Sequence, residues 1–386
     1  MIYLNNAATS YPKPPCVVEA VQACLMGAPV SQYRGSAELR KEDTTVLCKK
    51  KLGELLHIRE WKRIVFTSGA TESANRLICG LDYENRRIMT SEIEHNSILR
   101  PLWNQNCVKE QKISIVPCTK NGTIEPLEVE KTILKAAKES ENGNYPSVFF
   151  VNHCSNVTGQ IQNLEAITKI CHKYGIFVIA DLSQSAGSIC VDADAWQLDG
   201  IIFTGHKSLF GMQGIGGYYL REGISLKPLL YGGTGRDSAR LLYEEEYEYE
   251  VGTQNQPGIE SLLAGVSYIL EEGMENIIKK EQHLMTFLYQ EMEKISQVKL
   301  YNRYSIQHGP VMSMNIKDLD SADVAYILQN VYGITVRTGL HCAPLIHKEM
   351  GTEEKGTLRI SVSYLTKQEE IEAFVKAIRE ICSSLQ

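Results

Sequence analysis

Lys207 closes the stretch Asp199-Gly200-Ile201-Ile202-Phe203-Thr204-Gly205-His206-Lys207. The apolar, β-branched run predicts a buried strand over 201–204 that delivers Lys207 to a site. A lysine at the mouth of a buried strand is poorly solvated, which lowers its pKa and leaves a free amine able to condense with an aldehyde. A lone lysine after a strand is ordinarily a surface residue, but two neighbouring features reverse that expectation. Upstream, Val178-Ile179-Ala180-Asp181 is a second apolar run that ends in a carboxylate, followed by Gln184. Downstream, Gly211-Met212-Gln213-Gly214-Ile215-Gly216-Gly217 is dense enough in glycine to let backbone approach closely. An amine for an aldehyde and an anion for a ring nitrogen are what pyridoxal phosphate requires.

Three further groupings carry chemistry. In Arg337-Thr338-Gly339-Leu340-His341-Cys342-Ala343-Pro344, a thiol beside His341 and near Arg337 is expected to be biased toward the nucleophilic thiolate. An ordinary turn holding one of many cysteines is the plainer reading. In Thr357-Leu358-Arg359-Ile360-Ser361, an arginine sits inside an alternating strand. Its guanidinium fork suits a substrate carboxylate and an internal salt bridge equally. Ser68-Gly69-Ala70-Thr71 joins a strand to a helix, where free N–H groups and the helix dipole favour a phosphate.

Alternating elements must position these groups. Apolar runs predict strands over 63–67, 87–90, 113–117, 148–152, 178–181 and 201–204, with helices between them. One such helix carries Val18, Val21 and Leu25 on one face, another carries Ala74, Leu77, Ile78 and Leu81, and a third is capped by Asn163. This alternation predicts an α/β fold with a mostly parallel sheet, helices on both faces and ligands at the strand C-termini. Thr71, His95, Asn156, Asp181 and Lys207 all fall on that edge. Residues 33–36 read as a loop. The acidic, aromatic run over 243–250 reads as a solvated or interface-edge segment. A long helix beginning near Ile259 is expected to connect to a second domain. That domain has strands over 311–316, 334–337 and 358–362 and a helix over 321–332 that stops at Gly333. Thr366 to Glu369 is expected to form a capping box for a last helix bearing Ile371, Phe374, Val375, Ile378 and Ile381. The expected division is a large domain over 16–252 and a small one made of 1–15 with 253–386.

Composition narrows the partners. The 386 residues carry a net charge of -6, with 43% hydrophobic and 22% charged residues. This is a globular composition, and its acidity argues against nucleic acid or an anionic membrane as the main partner. No signal peptide or transmembrane stretch is evident. The 11 cysteines lack CxxC spacing, which suits reduced thiols in the cytoplasm and predicts no metal site.

Several segments then stand together. They are Tyr3-Leu4-Asn5-Asn6-Ala7-Ala8-Thr9, Thr67-Ser68-Gly69-Ala70-Thr71-Glu72-Ser73, Glu94-His95, Ser155-Asn156-Val157-Thr158-Gly159, Gly252-Thr253 and the RTGLHCA segment from Arg337 to Ala343. With them the sequence resembles the class V aminotransferase family, and more narrowly its group II cysteine desulfurase and selenocysteine lyase branch, over nearly the whole chain. The resemblance implies a fold-type I pyridoxal-phosphate-dependent transferase. Its large domain would hold a mostly parallel seven-stranded sheet, joined by a smaller α+β domain. It implies that Ala70, Thr71, Thr204 and His206 hold the cofactor phosphate, that His95 stacks on the ring, and that Asn156 lies beside it. Asp181 would pair with the ring nitrogen, Gln184 with the ring oxygen, and Lys207 with the aldehyde. Gly252 and Thr253 would reach the phosphate of the other subunit of a homodimer. Arg359, with Ala7, Asn156 and Arg337, would bind the amino-acid substrate, and Cys342 would accept its sulfur.

The implied activity takes sulfur from cysteine as a persulfide on Cys342, releases alanine, and passes the sulfur to an acceptor protein or small thiol. Selenocysteine lyase, another C–S lyase, a plain aminotransferase and a non-catalytic delivery scaffold are the rival readings. Asn5 stands where the family usually has aspartate and Gln254 where proline is common. Tyr33 to Ala37 lacks the histidine that many group II members carry after Arg-Gly.

Overall fold

The apolar runs 64–67, 148–152 and 200–204 are buried along their whole length, as strands covered on both faces must be. They belong to a computed structural model that describes residues 1–27, 43–83, 87–104, 113–140, 142–233, 250–302 and 308–384. The predicted loop over 33–36, the missing-histidine position and most of the acidic run over 243–250 lie outside the described residues.

In chain order the first elements are β1 (Ile2–Tyr3), α1 (Pro15–Met26), α2 (Thr44–Leu56), β2 (Ile64–Thr67), α3 (Ala70–Gly80), β3 (Ile88–Ser91), α4 (Asn96–Asn104) and β4 (Ile113–Val116). Next come α5 (Pro126–Lys138), β5 (Val148–Asn152), α6 (Leu164–Lys173), β6 (Phe177–Asp181), β7 (Gly200–Thr204) and β8 (Gly216–Leu220). The C-terminal third holds α7 (Gln256–Glu272), α8 (Met274–Glu293), β9 (Val298–Leu300), β10 (Val311–Ile316), α9 (Ser321–Tyr332) and β11 (Ile334–Thr335). It closes with α10 (Pro344–Met350), β12 (Leu358–Ser361) and α11 (Gln368–Ser383).

The main sheet has seven strands in the order β2-β8-β7-β6-β5-β3-β4, and β8 alone runs antiparallel to its neighbours. The others therefore share one C-terminal edge, where Asn152 sits opposite Asp181 and Asp181 opposite Ile202. A separate antiparallel sheet, β12-β10-β9, packs against α8, α9 and α11 around its own apolar cluster. The chain start crosses to it. β1 pairs in parallel with β11, and Asn5 bridges Ser361. The apolar face of α7 (Ile259, Leu262, Val266, Ile269) joins the core of the main sheet instead.

Some expectations need correcting. Val18 and Leu25 are exposed on α1, and Val17 is its one buried position, because α1 lies on α7 by a different face. The first main-sheet strand starts at Ile64, since Trp61–Arg63 forms a short 3-10 turn. Strand β11 stops at Thr335, and Arg337 makes only an isolated bridge to Arg359. At α11 the Glu370 carboxylate accepts from the Lys367 N–H at 2.9 Å, while the Thr366 hydroxyl is taken by the Ser363 N–H at 3.0 Å, so the box sits one residue later. Glu250, the described end of the acidic run, is not solvated. Its Oε1 accepts from the Phe66 N–H on edge strand β2 at 2.7 Å, and its carboxylate also meets Lys49. A carboxylate laid along an edge strand satisfies a donor that would otherwise invite another strand.

Candidate active site

Lys207 follows β7 by three residues, and the charged groups around it come from three other segments. Burial pulls its amine down to about 8, with the Asp181 carboxylate pulling the other way and the Arg359 and Arg337 cations adding to the fall. The Cys342 sulfur also acts on it. A free amine is thus far more available at neutral pH than on a surface lysine. Asp181 ends β6 and is buried; the Ser183 N–H donates to its Oδ1 at 2.8 Å and the Ser183 hydroxyl joins it. Gln184 is buried on the next turn, and its Nε2 donates to the Ala7 carbonyl at 2.9 Å. The Ala7 N–H donates to Ser361 Oγ at 2.9 Å, so the predicted substrate-side residue Ala7 links β12 to the Asp181 loop.

His95 lies at the start of α4. Its Nδ1 accepts from the Ser97 N–H at 3.0 Å, which puts the proton of a neutral ring on Nε2. Burial, then the charges of Lys207, Arg337 and Arg359, hold it down at about 3, so the ring is neutral. Beneath it is a group that sequence reasoning did not single out. Glu94 is fully buried, accepts from Ser91 Oγ at 2.6 Å and from the Asn152 N–H at 2.7 Å, and is pushed by burial up to about 8. Its only signal in the sequence was its place beside His95.

Arg359 on β12 is wholly buried. Its Nη1 donates to the Asn156 carbonyl at 3.0 Å and its Nη2 to Asn5 Oδ1 at 3.1 Å, while Nε has no partner among the described residues. No carboxylate pairs with it among the described residues, so the internal-salt-bridge alternative loses its partner. A buried guanidinium held only by neutral oxygens is an anion site in waiting.

Cys342 is partly exposed, and Arg337 Nη2 donates to its Sγ at 3.3 Å. The expected partnership with His341 does not form. The His341 ring turns inward, its Nε2 meeting Thr357 Oγ1 at 2.9 Å, and burial keeps it neutral. The charge beside the sulfur is therefore that of Arg337. Both His341 (φ 49) and Cys342 (φ 60) are left-handed, an uncommon conformation for residues with a Cβ. The turn is pinned where Asn156 Nδ2 donates to the His341 carbonyl at 2.7 Å and the Asn96 N–H to the Cys342 carbonyl at 2.7 Å.

A phosphate-bearing aromatic cofactor fits the residues present. Ala70 and Thr71 open α3, Gly69 before them lies beside Thr204 at the sheet edge, and the free N–H groups of a helix start suit a phosphate. Gly216 lets the turn before α3 pack closely on β8: a Cβ on it would lie 2.6 Å from the Gly69 Cα. Asn156 Oδ1 and His206 Nδ1 are buried without partners among the described residues, as groups awaiting a ligand are. Burial, with Lys207 and Lys13 nearby, keeps His206 neutral at about 4. Gly252 and Thr253 are exposed, and among the described residues neither is hydrogen-bonded to another candidate residue. Among the described residues no metal-binding cluster and no helix long and apolar enough to cross a membrane is found.

A profile of the class-V aminotransferases matches residues 2–374. The chain belongs to the class-V aminotransferase family. Members of this family depend on pyridoxal phosphate. Among its relatives, a probable cysteine desulfurase of Pyrococcus abyssi is 30% identical over 100% of this chain and 95% of its own length. A cysteine desulfurase of Escherichia coli is 27% identical, covering 99% and 93%. The solved apo structure of a cysteine desulfurase from Thermococcus onnurineus superposes with a TM-score of 0.86 at 29% identity, covering 99% of this chain and 95% of that one. The expected fold class, with its mostly parallel seven-stranded sheet, is the fold of this class-V chain.

Proposed function

We propose that this protein is a pyridoxal-phosphate-dependent cysteine desulfurase that takes sulfur from L-cysteine onto Cys342 and releases alanine. The observation that carries the reading is the convergence on Lys207 of Asp181, Arg359, Arg337 and the Cys342 sulfur. An aminotransferase needs the first two groups but has no use for the thiol.

Ala70, Thr71, Thr204 and His206 would hold the phosphate, with Gly252 and Thr253 contributing from the partner subunit of a homodimer. Asp181 would hold a proton on the ring nitrogen, Gln184 would face the ring oxygen, and Asn156 and His95 would lie against the ring. Pyridoxal phosphate, when bound, supplies an aldehyde for the amines and a ring that takes up the electron pair left at Cα. Arg359 binds the substrate carboxylate and so aims the Cα–H bond at Lys207. Lys207, freed as a neutral amine, takes that proton. His95 carries a proton on Nε2 and is placed to pass one. The Cys342 sulfur attacks the substrate sulfur: the S–S bond forms, the C–S bond breaks, and its electron pair stays with carbon, which is protonated to alanine. The Arg337 guanidinium balances the negative charge on the attacking sulfur. The persulfide then passes to an acceptor protein or small thiol.

We place the enzyme in the cytoplasm, on the strength of cysteines that form no disulfide among the described residues. We also propose the division into a cofactor domain (16–252) and a smaller one (1–15 with 253–386), supported by the separate apolar cluster around β10 and β12, with α7, packed on the main sheet, as the connection between them. Incubation of the purified, cofactor-loaded protein with cysteine or selenocysteine tests the function. Stoichiometric alanine and persulfide from cysteine are expected. Alanine from selenocysteine alone would assign a lyase, and an oxo acid in place of alanine an aminotransferase.

A further inference from the structure

The two peptide carbonyls that flank the Lys207 Cα are held from one side by the chain start. Lys13 Nζ donates to the His206 carbonyl at 2.9 Å and to Ser10 Oγ at 2.7 Å. A hydroxyl has one proton to give. Ser10 Oγ spends it on the Lys207 carbonyl, its closer acceptor at 2.8 Å, with the His206 carbonyl at 3.2 Å. The Ser10 N–H and Thr9 Oγ1 add donors to the His206 carbonyl at 3.0 and 3.1 Å. One ammonium thus grips the first carbonyl directly and the second through Ser10. Fixing the peptide planes on both sides of a Cα fixes its Cα–Cβ vector, and with it the aim of the side chain.

We propose that Lys13 is a positioning residue for Lys207, acting through the His206 carbonyl and the Ser10 hydroxyl. The inference rests on the reading of Lys207 as the reactive amine. An ammonium suits the task because charge-assisted bonds are shorter and stronger than neutral ones and because it has three donors to share. The placement also explains a cost. Lys13 is itself partly buried with no carboxylate partner among the described residues, and burial pulls it down to about 8. A solvated surface lysine would not meet that penalty. The same chain start carries Asn5, bonded to Arg359, and Ala7, bonded to Gln184, so residues 5–13 run as one strap past the carboxylate clamp, the Asp181 loop and the amine.

The test compares wild type with Lys13→Met, Lys13→Arg and Ser10→Ala. In the cofactor-loaded enzyme, Lys13→Met should lose roughly tenfold to a hundredfold in kcat for cysteine with KM unchanged, the scale expected of a misplaced reacting group. Lys13→Arg should recover most of it. A second readout uses the cofactor-free protein and limiting acetic anhydride, with Lys207 acetylation followed by peptide mass spectrometry across pH. Asp181, Arg359, Arg337, Cys342, His95 and His206 surround Lys207, and all are kept. In Lys13→Met the midpoint should rise from about 8 toward that of an ordinary lysine as the amine swings into water. If Lys13→Met does not fold, Ser10→Ala, which cuts only the relay, must move both readouts the same way by a smaller amount. Wild-type kcat and midpoint in a folded Lys13→Met, or in Ser10→Ala where that is the variant read, would overturn the proposal. If wild type turns over no cysteine, the proposed function fails, while the acetylation midpoint still decides the role of Lys13.

Discussion

Arg359 Nη1 donates to the main-chain oxygen of Asn156 at 3.0 Å, joining residues 203 positions apart in sequence. The bond sets the plane of a guanidinium that has no carboxylate of its own among the described residues. Arg359→Ala should therefore weaken cysteine binding while the cofactor absorbance stays as in wild type. A bidentate charge-assisted pair contributes about 1.5–3 kcal/mol, so KM should rise by roughly tenfold to a hundredfold. Steady-state kinetics and a spectrum of the resting enzyme check this. An unchanged KM would make Arg359 a structural residue.

Lys207→Ala should abolish turnover and leave the fold intact, because the residue supplies an amine and no apolar packing. Thr71, Thr204 and His206 are untouched, so dialysis should still find some loosely held cofactor. Full activity in this variant would remove Lys207 from the chemistry.

Cys342→Ala should lose almost all alanine release from cysteine, since nothing then takes the sulfur. Selenocysteine should keep measurable turnover, because selenium is the better leaving group. After cysteine treatment of the wild type, the added sulfur should map to Cys342 and not to Cys154 or Cys382, which are buried. A persulfide elsewhere, or a wild-type rate in the variant, contradicts the proposed transfer.

Addition of pyridoxal phosphate to the cofactor-free protein should bring its own pH signature. The Lys207 amine is lowered from 10.5 to about 8, so the free amine, and the rate of the absorbance change on addition, should rise with pH through about 8. A midpoint near the ordinary lysine value would show that the amine is solvated.

Glu94 and Glu281 are both pushed up to about 8 by burial. Between the unfolded carboxyl value near 4.5 and about 8, the folded state keeps protons that the unfolded state has lost. Their contribution to stability is full below that window and declines as pH rises through it. Glu94→Gln, which keeps the shape without the ionisable proton, should flatten the fall in Tm from pH 6 to pH 8.5. A slope equal to wild type would mean that Glu94 does not carry it.

Much of the fold was legible because its signals are local. The strands at 148–152 and 201–204 are unbroken apolar runs, and Asn163 caps α6 as expected, its side chain accepting from the Ala166 N–H at 3.0 Å. The helix ending at Gly333 was readable from one left-handed glycine. Less legible were features that depend on a distant partner. Whether Val17 or Val18 faces inward on α1 is decided by where α7 lies, more than 200 residues later. The inward turn of His341 needs Thr357, and the docking of Glu250 needs the free N–H of Phe66. The site was read as a set of types at strand ends. The strap formed by Thr9, Ser10 and Lys13 escaped, because small polar residues before a proline look like any surface turn.

The pairing of β1 with β11, and of Asn5 with Arg359, joins the first few residues to positions beyond 330. Synthesis makes these first residues long before their partners, so β1 and Asn5 have nothing to join until most of the chain has left the ribosome. The main sheet closes earlier, since β2 to β8 end at Leu220. A nascent chain thus exposes a finished sheet edge beside a strap not yet anchored at Asn5 and Ala7, and contacts of such long sequence separation are the slow ones to form. Competence to capture the cofactor should arise late, after chain release, and a chain truncated before β12 should bind it poorly even with every phosphate-loop residue present.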